Sequence, residues 1–133
     1  MRTTTTIAAI ITVAAVFLLV ESATAQKAIR IKFERRAVSA VVSGHLSGFK
    51  SKKVFVVRVR AGQTLRTEQI GSLHNITLFI EDPNGDDVTD ADASCNNRKE
   101  VSPTIAGDYR LTVVECQKAD PWRGTFRFRV TVR

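Results

Sequence analysis

The side chains with reactive potential in this chain are few. Two cysteines (Cys95 and Cys116), two histidines (His45 and His74) and one tryptophan (Trp122) are the full complement of each type. The cysteines lack the C-x-x-C spacing of a redox pair, and no helical pattern sets a helix N-terminus beside either to lower its pKa. Joined to each other they allow a single pairing, which persists in an oxidising compartment. Such a bridge closes about 21 residues and is worth about 3 kcal/mol on the chain-entropy account. A structural disulfide is therefore expected, pinning a long acidic loop to the end of a sheet.

Catalysis finds little support. His45 follows Ser43-Gly44 at a strand end, and His74 precedes Asn75 in a turn. There is no G-x-S-x-G elbow, no H-E-x-x-H or Cys/His cluster for zinc, and no glycine motif to cradle phosphate. Asp108 and Glu115 share one strand at an odd separation, so their carboxylates face opposite sides. No catalytic residue, no resident metal and no cofactor is expected, and the chain reads as a non-enzyme. The acidic stretch Asp82, Asn84, Asp86, Asp87, Asp90, Asp92 has two readings. Hard cations take several oxygen ligands, which invites calcium. However, Gly85 comes too early for the helix–loop–helix template and Ala93 stands where its closing Glu belongs, so the other reading is a solvated turn and loop.

Binding has more candidates. Trp122 lies in a polar loop between Pro121 and Arg123, and Trp with Arg is the combination enriched in interface hot spots. The alternative is that Trp122 folds over one end of the domain as a core plug. Arg58, Arg60, Arg127 and Arg129 alternate with apolar residues and form candidate basic stripes. The alternative is that these outward charges keep a sheet from pairing with other chains.

The elements that must position these residues are strands. Period 2 dominates and period 3.6 is absent. Ile29, Ile31 and Phe33 alternate with basic residues; Val38, Ala40 and Val42 alternate with small ones; Phe55, Val57 and Val59 share a face. A weaker strand runs from Thr64 to about Ile70. Ile76, Leu78 and Ile80 share a face, and a short strand lies around Arg98–Val101. Tyr109, Leu111 and Val113 share the next face, and Phe126, Phe128, Val130 and Val132 close the chain. Ala61-Gly62-Gln63 and Asp82-Pro83-Asn84-Gly85 are turns, since Gly accepts a positive φ and Pro presets its own. Seven to eight short strands with evenly spaced turns predict an all-β antiparallel sandwich in which each sheet buries one face.

Ahead of these strands, residues 1–25 carry Arg2, an apolar run Ile7–Val20 and Ala23-Thr24-Ala25. The run is shorter than the about 20 residues that span a bilayer, and the pattern is that of a secretory signal peptide. The expected domains are 1–25, a signal peptide, and 26–133, a single β-sandwich with no membrane span. An exported protein, periplasmic or secreted, is expected. With 133 residues, 44% hydrophobic and 25% charged, composition excludes a multidomain enzyme, a coiled coil, a collagen-like chain and a disordered polymer.

The net charge of +7 is unevenly placed. Residues 27–66 hold eleven Lys or Arg and one acid, residues 67–97 hold seven acids and no base, and residues 98–133 hold eight bases and four acids. Such a field can steer association with a polyanion or a dipolar partner. It also serves simply to keep a soluble domain dispersed. Nucleic acid is not expected, because the chain reads as exported and its aromatics fall at core positions.

Four segments in order, "VRVRAGQTLRTEQI" (57–70), "ITLFIEDPNGDDV" (76–88), "SPTIAGDYRLTVV" (102–114) and the closing "TFRFRVTV", resemble the bacterial pre-peptidase C-terminal domain superfamily. Within it the likeness is to small stand-alone periplasmic inhibitors of goose-type lysozyme. Those open with a "T-V-S-G"-like segment, here Val41-Val42-Ser43-Gly44. The resemblance covers roughly residues 29–132. It implies a non-catalytic exported β-sandwich that binds a protein, with inhibition of a lysozyme-type enzyme as its most concrete form and with loops 82–97 and 117–124 as the expected interface. The alternative is a module that binds an anionic cell-envelope polymer through its Lys/Arg stripes. The sequence departs from the family at Thr67 and Gln69, where apolar alternation is usual, and at the Cys95/Cys116 pair.

Overall fold

In the computed structural model the described residues are 26–71, 75–89, 95, 98–116 and 122–133; the proposed signal peptide, His74, Asp90, Asp92 and Pro121 lie outside them. Eight strands are present: β1 (Ile29–Arg30), β2 (Ser39–Leu46), β3 (Lys52–Val59), β4 (Leu65–Gln69), β5 (Ile76–Glu81), β6 (Arg98–Val101), β7 (Gly107–Glu115) and β8 (Gly124–Val132). They form two four-stranded sheets, ordered β1-β3-β7-β5 and β2-β8-β4-β6. All pairings are antiparallel except the short parallel contact of β1 with β3. The expected all-β sandwich is therefore present.

The alternation read from sequence maps onto the core. Leu111 and Val113 of β7, Phe128 and Val130 of β8, and Ile76, Leu78 and Ile80 of β5 have no exposed surface. Phe55 of one sheet meets Phe126 and Phe128 of the other edge-on, with centroids 6.2 and 5.5 Å away, and this aromatic contact joins the two sheets. Among the described residues the buried core cluster runs from Ile31 to Val130.

Some expectations are corrected. The first strand stops after Arg30. Ile29 is half exposed while Ile31 is buried, because β1 has β3 as its sole neighbour in the sheet. Val38 does not share the buried face of β2 and is 56% exposed; it precedes that strand. In β3 the run Val54–Val57 is buried on both faces rather than one, which fits its unbroken apolar sequence.

The family-like segments prove to be contacts with one another. Gly62 adopts φ 77° and its N–H donates to the Thr104 carbonyl, while the Thr104 N–H donates to the Gln63 carbonyl. The Thr104 hydroxyl donates to the Arg60 carbonyl and accepts from the Gln63 N–H. The Ile105 N–H donates to the buried Tyr109 hydroxyl at 3.1 Å. At Gly107 a Cβ would fall 2.7 Å from Pro83, so the turn at 82–85 packs directly on the start of β7. Gly44 is fixed in the same way: a Cβ there would lie 2.5 Å from Cζ of Phe126, its partner across the β2–β8 ladder.

Candidate functional site

The end of the sandwich where β7 finishes and β8 begins carries the most distinctive arrangement. Trp122 is half-buried and packs on the core cluster. Its backbone N–H donates to Oε2 of Glu115 at 3.2 Å, and Glu115 is 1% exposed on the inward face of β7. The indole crosses the backbone at Gly124, where a Cβ would stand 2.8 Å from Cζ2. Only a glycine allows that approach. The disulfide closes the same end. Cys95 and Cys116 are joined with Cα atoms 5.0 Å apart. The Cys116 N–H donates to the Asn75 carbonyl, and the Cys95 N–H donates to the Thr77 hydroxyl.

Beside the indole is a cavity of about 250 Å³ lined by Gln69, Ile70, Asn75, Trp122, Phe126 and Arg127, among others. An aromatic wall, two carboxamide side chains and one guanidinium suit a polar planar group, such as a carboxylate or amide carried on a partner surface. These residues supply no nucleophile with an attendant base. Trp122 thus packs on the core and also lines the cavity.

The four arginines do not come together. Arg58 belongs to the β1-β3-β7-β5 sheet and lies 3.8 Å from Asp108. Arg60 follows β3, and its N–H donates to Oε1 of Gln63. Arg127 and Arg129 point outward from β8 on the opposite sheet, with Arg129 directly across from Glu68. Arg58 and Arg60 line a second cavity, of about 500 Å³, at the far end with Phe33, Val38 and Gln63. Arg123 is exposed beside Trp122. The basic residues are therefore divided between outward positions of the two sheets.

The acidic turn also lies at the far end, since Glu81 pairs with Arg110 while Ile76 pairs with Glu115. Asp82 accepts the N–H groups of Asn84 and Asp86 through Oδ1, and Asp87 accepts the Thr89 N–H. Hydrogen bonds from Thr89, its side chain foremost, hold the Asp87 carboxyl below the usual carboxylate range. These carboxylates organise their own turn, and no group of three or more metal-ligating side chains occurs among the described residues. His45 is exposed on β2.

Among the polar side chains that the fold buries are Thr67, Gln69, Lys99 and Glu115; sequence reasoning marked Thr67 and Gln69 as departures from apolar alternation and Glu115 as a strand carboxylate, and did not single out Lys99. The signal was available, because each occupies an inward place in an alternating strand. Thr67 of β4 stands directly opposite Lys99 of β6.

No protein-family model matches the chain, and no curated protein does. Solved structures do. Aeromonas hydrophila PliG, described as a periplasmic lysozyme inhibitor of g-type lysozyme, matches with a TM-score of 0.65 at 16% identity, covering 80% of this chain and 96% of that one. The Salmonella Typhimurium PliG gives 0.60 at 16% identity over 80% and 98%. A mutant of the Escherichia coli PliG gives 0.60 at 16% identity over 82% and 100%. Among the described residues no helix is long and apolar enough to cross a membrane. The resemblance read from the sequence therefore holds in three dimensions, and the chain has the fold of these inhibitors along nearly their entire length.

Proposed function

We propose that this chain is an exported, non-catalytic binding module that inhibits a lysozyme-type enzyme. The observation that carries the reading is the fold likeness across 96% of the Aeromonas inhibitor. The cavity beside Trp122 supports it as the contact region, because it offers an aromatic anchor and a guanidinium without catalytic groups. A signal peptide over 1–25 and a disulfide agree with an oxidising compartment.

The test is capture and inhibition by purified residues 26–133 with the disulfide formed. Goose-, chicken- and invertebrate-type lysozymes and insoluble peptidoglycan are offered at low and high salt. Capture of one lysozyme type that persists in salt, with loss of its activity, is expected. Trp122→Ala and Arg127→Ala should each weaken it at least tenfold. Absence of binding and inhibition at micromolar concentration across all three types overturns the reading. Retention on peptidoglycan alone, abolished at about 1 M salt where screening is nearly complete, would move the function to the arginine faces.

A further inference from the structure

The two sheets have four edge strands, β1, β5, β2 and β6, and three are guarded. Strand β1 has two residues. The edge of β5 is covered by its own following turn, where the Val88 N–H donates to the Ile80 carbonyl and Glu81 bridges Asp87. Strand β6 has four residues, three of them charged. Strand β2 has eight residues, SAVVSGHL, with no Lys, Arg, Asp, Glu or Pro. Long, neutral edges of this kind are templates for adding a strand.

The direction of its backbone groups follows from the ladder. The Val132 N–H donates to the Val38 carbonyl at 2.8 Å, and these two residues stand opposite each other in the β2–β8 register. Hydrogen-bonded pairs alternate in an antiparallel ladder. Ala40, Val42, Gly44 and Leu46 therefore bond to β8, while Ser39, Val41, Ser43 and His45 aim their N–H and C=O groups outward. Beside this edge runs an open groove of about 230 Å³, lined by Ile29, Ile31, Ala40, Val42 and Phe55 together with Lys32 and with Arg30, whose guanidinium is engaged by Asp108 at 2.7 Å. Val41 is 51% and Ile29 52% exposed.

We infer that β2 pairs antiparallel with the β2 of a second copy of this chain, joining two four-stranded sheets into one of eight strands. The charge distribution selects this occupant. In a chain of net charge +7, the neutral β2 edge lets two copies meet without setting like charges opposite each other. A register centred on Val42 uses all four outward residues. Val41 then stands opposite Ser43 of the second copy, Ser39 opposite its His45, and Val42 opposite its Val42, which covers the half-exposed inner face of the strand. This inference is independent of the proposed lysozyme partner.

The experiment is sedimentation of residues 26–133 over a concentration series, with thermal melts as the fold control. V41K/S43K places lysines directly opposite each other twice in this register, whereas V41K/S43E places opposite charges there. Both positions are exposed, so neither pair of substitutions disturbs the monomer. The wild type should reach the mass of two copies. V41K/S43K should raise the dissociation constant at least tenfold, and V41K/S43E should restore or tighten it. A wild type that stays monomeric throughout overturns the inference, as do two double variants that dimerise equally well.

Discussion

Thr67→Val tests whether the polar departure inside the core is a defect of the fold. Thr67 has no exposed surface, and its Oγ1 has no hydrogen-bond partner among the described residues. It faces inward from β4 between Val130 of β8 and Lys99 of β6. A buried hydroxyl left unpaired costs about 1–3 kcal/mol. Valine keeps the branched shape and strand preference and replaces the hydroxyl with a methyl group. The variant should therefore gain about 1 kcal/mol, which for a domain near this size raises Tm by about 4–8 °C. Thr67→Ser is the control, since it keeps the hydroxyl but opens a small void, and it should lose about 1 kcal/mol. Urea and thermal unfolding of the disulfide-intact protein, followed by circular dichroism and Trp122 fluorescence, measure both. A valine variant less stable than the wild type would show that the hydroxyl is paired and would refute the reasoning.

Other expectations are as direct. Gly44→Ala forces Phe126 to move while Phe55 and Phe128 hold it, and should cost about 1–3 kcal/mol by urea denaturation. Replacing both Cys95 and Cys116 by Ser should cost about 3 kcal/mol on the loop-entropy account and lower the urea midpoint accordingly. Arg30 holds the Asp108 carboxyl below its ordinary range, and Arg66 does the same for Glu100. Thr89 acts likewise on Asp87. Each folded value lies below the unfolded one, so the contribution is present above the carboxylate range and is lost as pH falls through the lowered values. Tm should be flat from about pH 8 to 5 and fall below about pH 4, the fall being shallow because these groups face solvent. Asp108→Asn should make that fall shallower.

Strands β5, β7 and β8 were legible because each buries one face against the other sheet, and strict alternation is the direct record of that. The turns were legible because Gly62 and the Asp82–Gly85 segment have one local geometry open to them. Strand β3 was half legible. Phe55 and Val57 point to the core as read, but burial of Val54 and Val56 depends on what lies over the outer face, which period 2 does not encode. The parallel contact of β1 was hidden, since a two-residue strand has no period. The division of the arginines between two faces was hidden for a related reason: alternation says that a side chain points outward, not from which sheet. Trp122 was read either as an anchor or as a core plug, and its place on the core and beside a cavity rests on Gly124 and Glu115, which come close only through the fold.

The stretches that make this chain recognisable, Ala61–Leu65, Asp82–Gly85 and Ser102–Tyr109, meet at one end of the sandwich and bond to one another. Trp122 and the Cys95–Cys116 bridge sit at the other end. The segments that carry the likeness and the tryptophan end are thereby kept in separate places, so that drift at the tryptophan end leaves the signature of the fold intact. Short shared words in such chains record how they close up, not what they grasp. For anyone re-purposing this scaffold, the first end is the hinge plate to leave alone. The connections from β4 to β5 and from β7 to β8 are where a new specificity can be written.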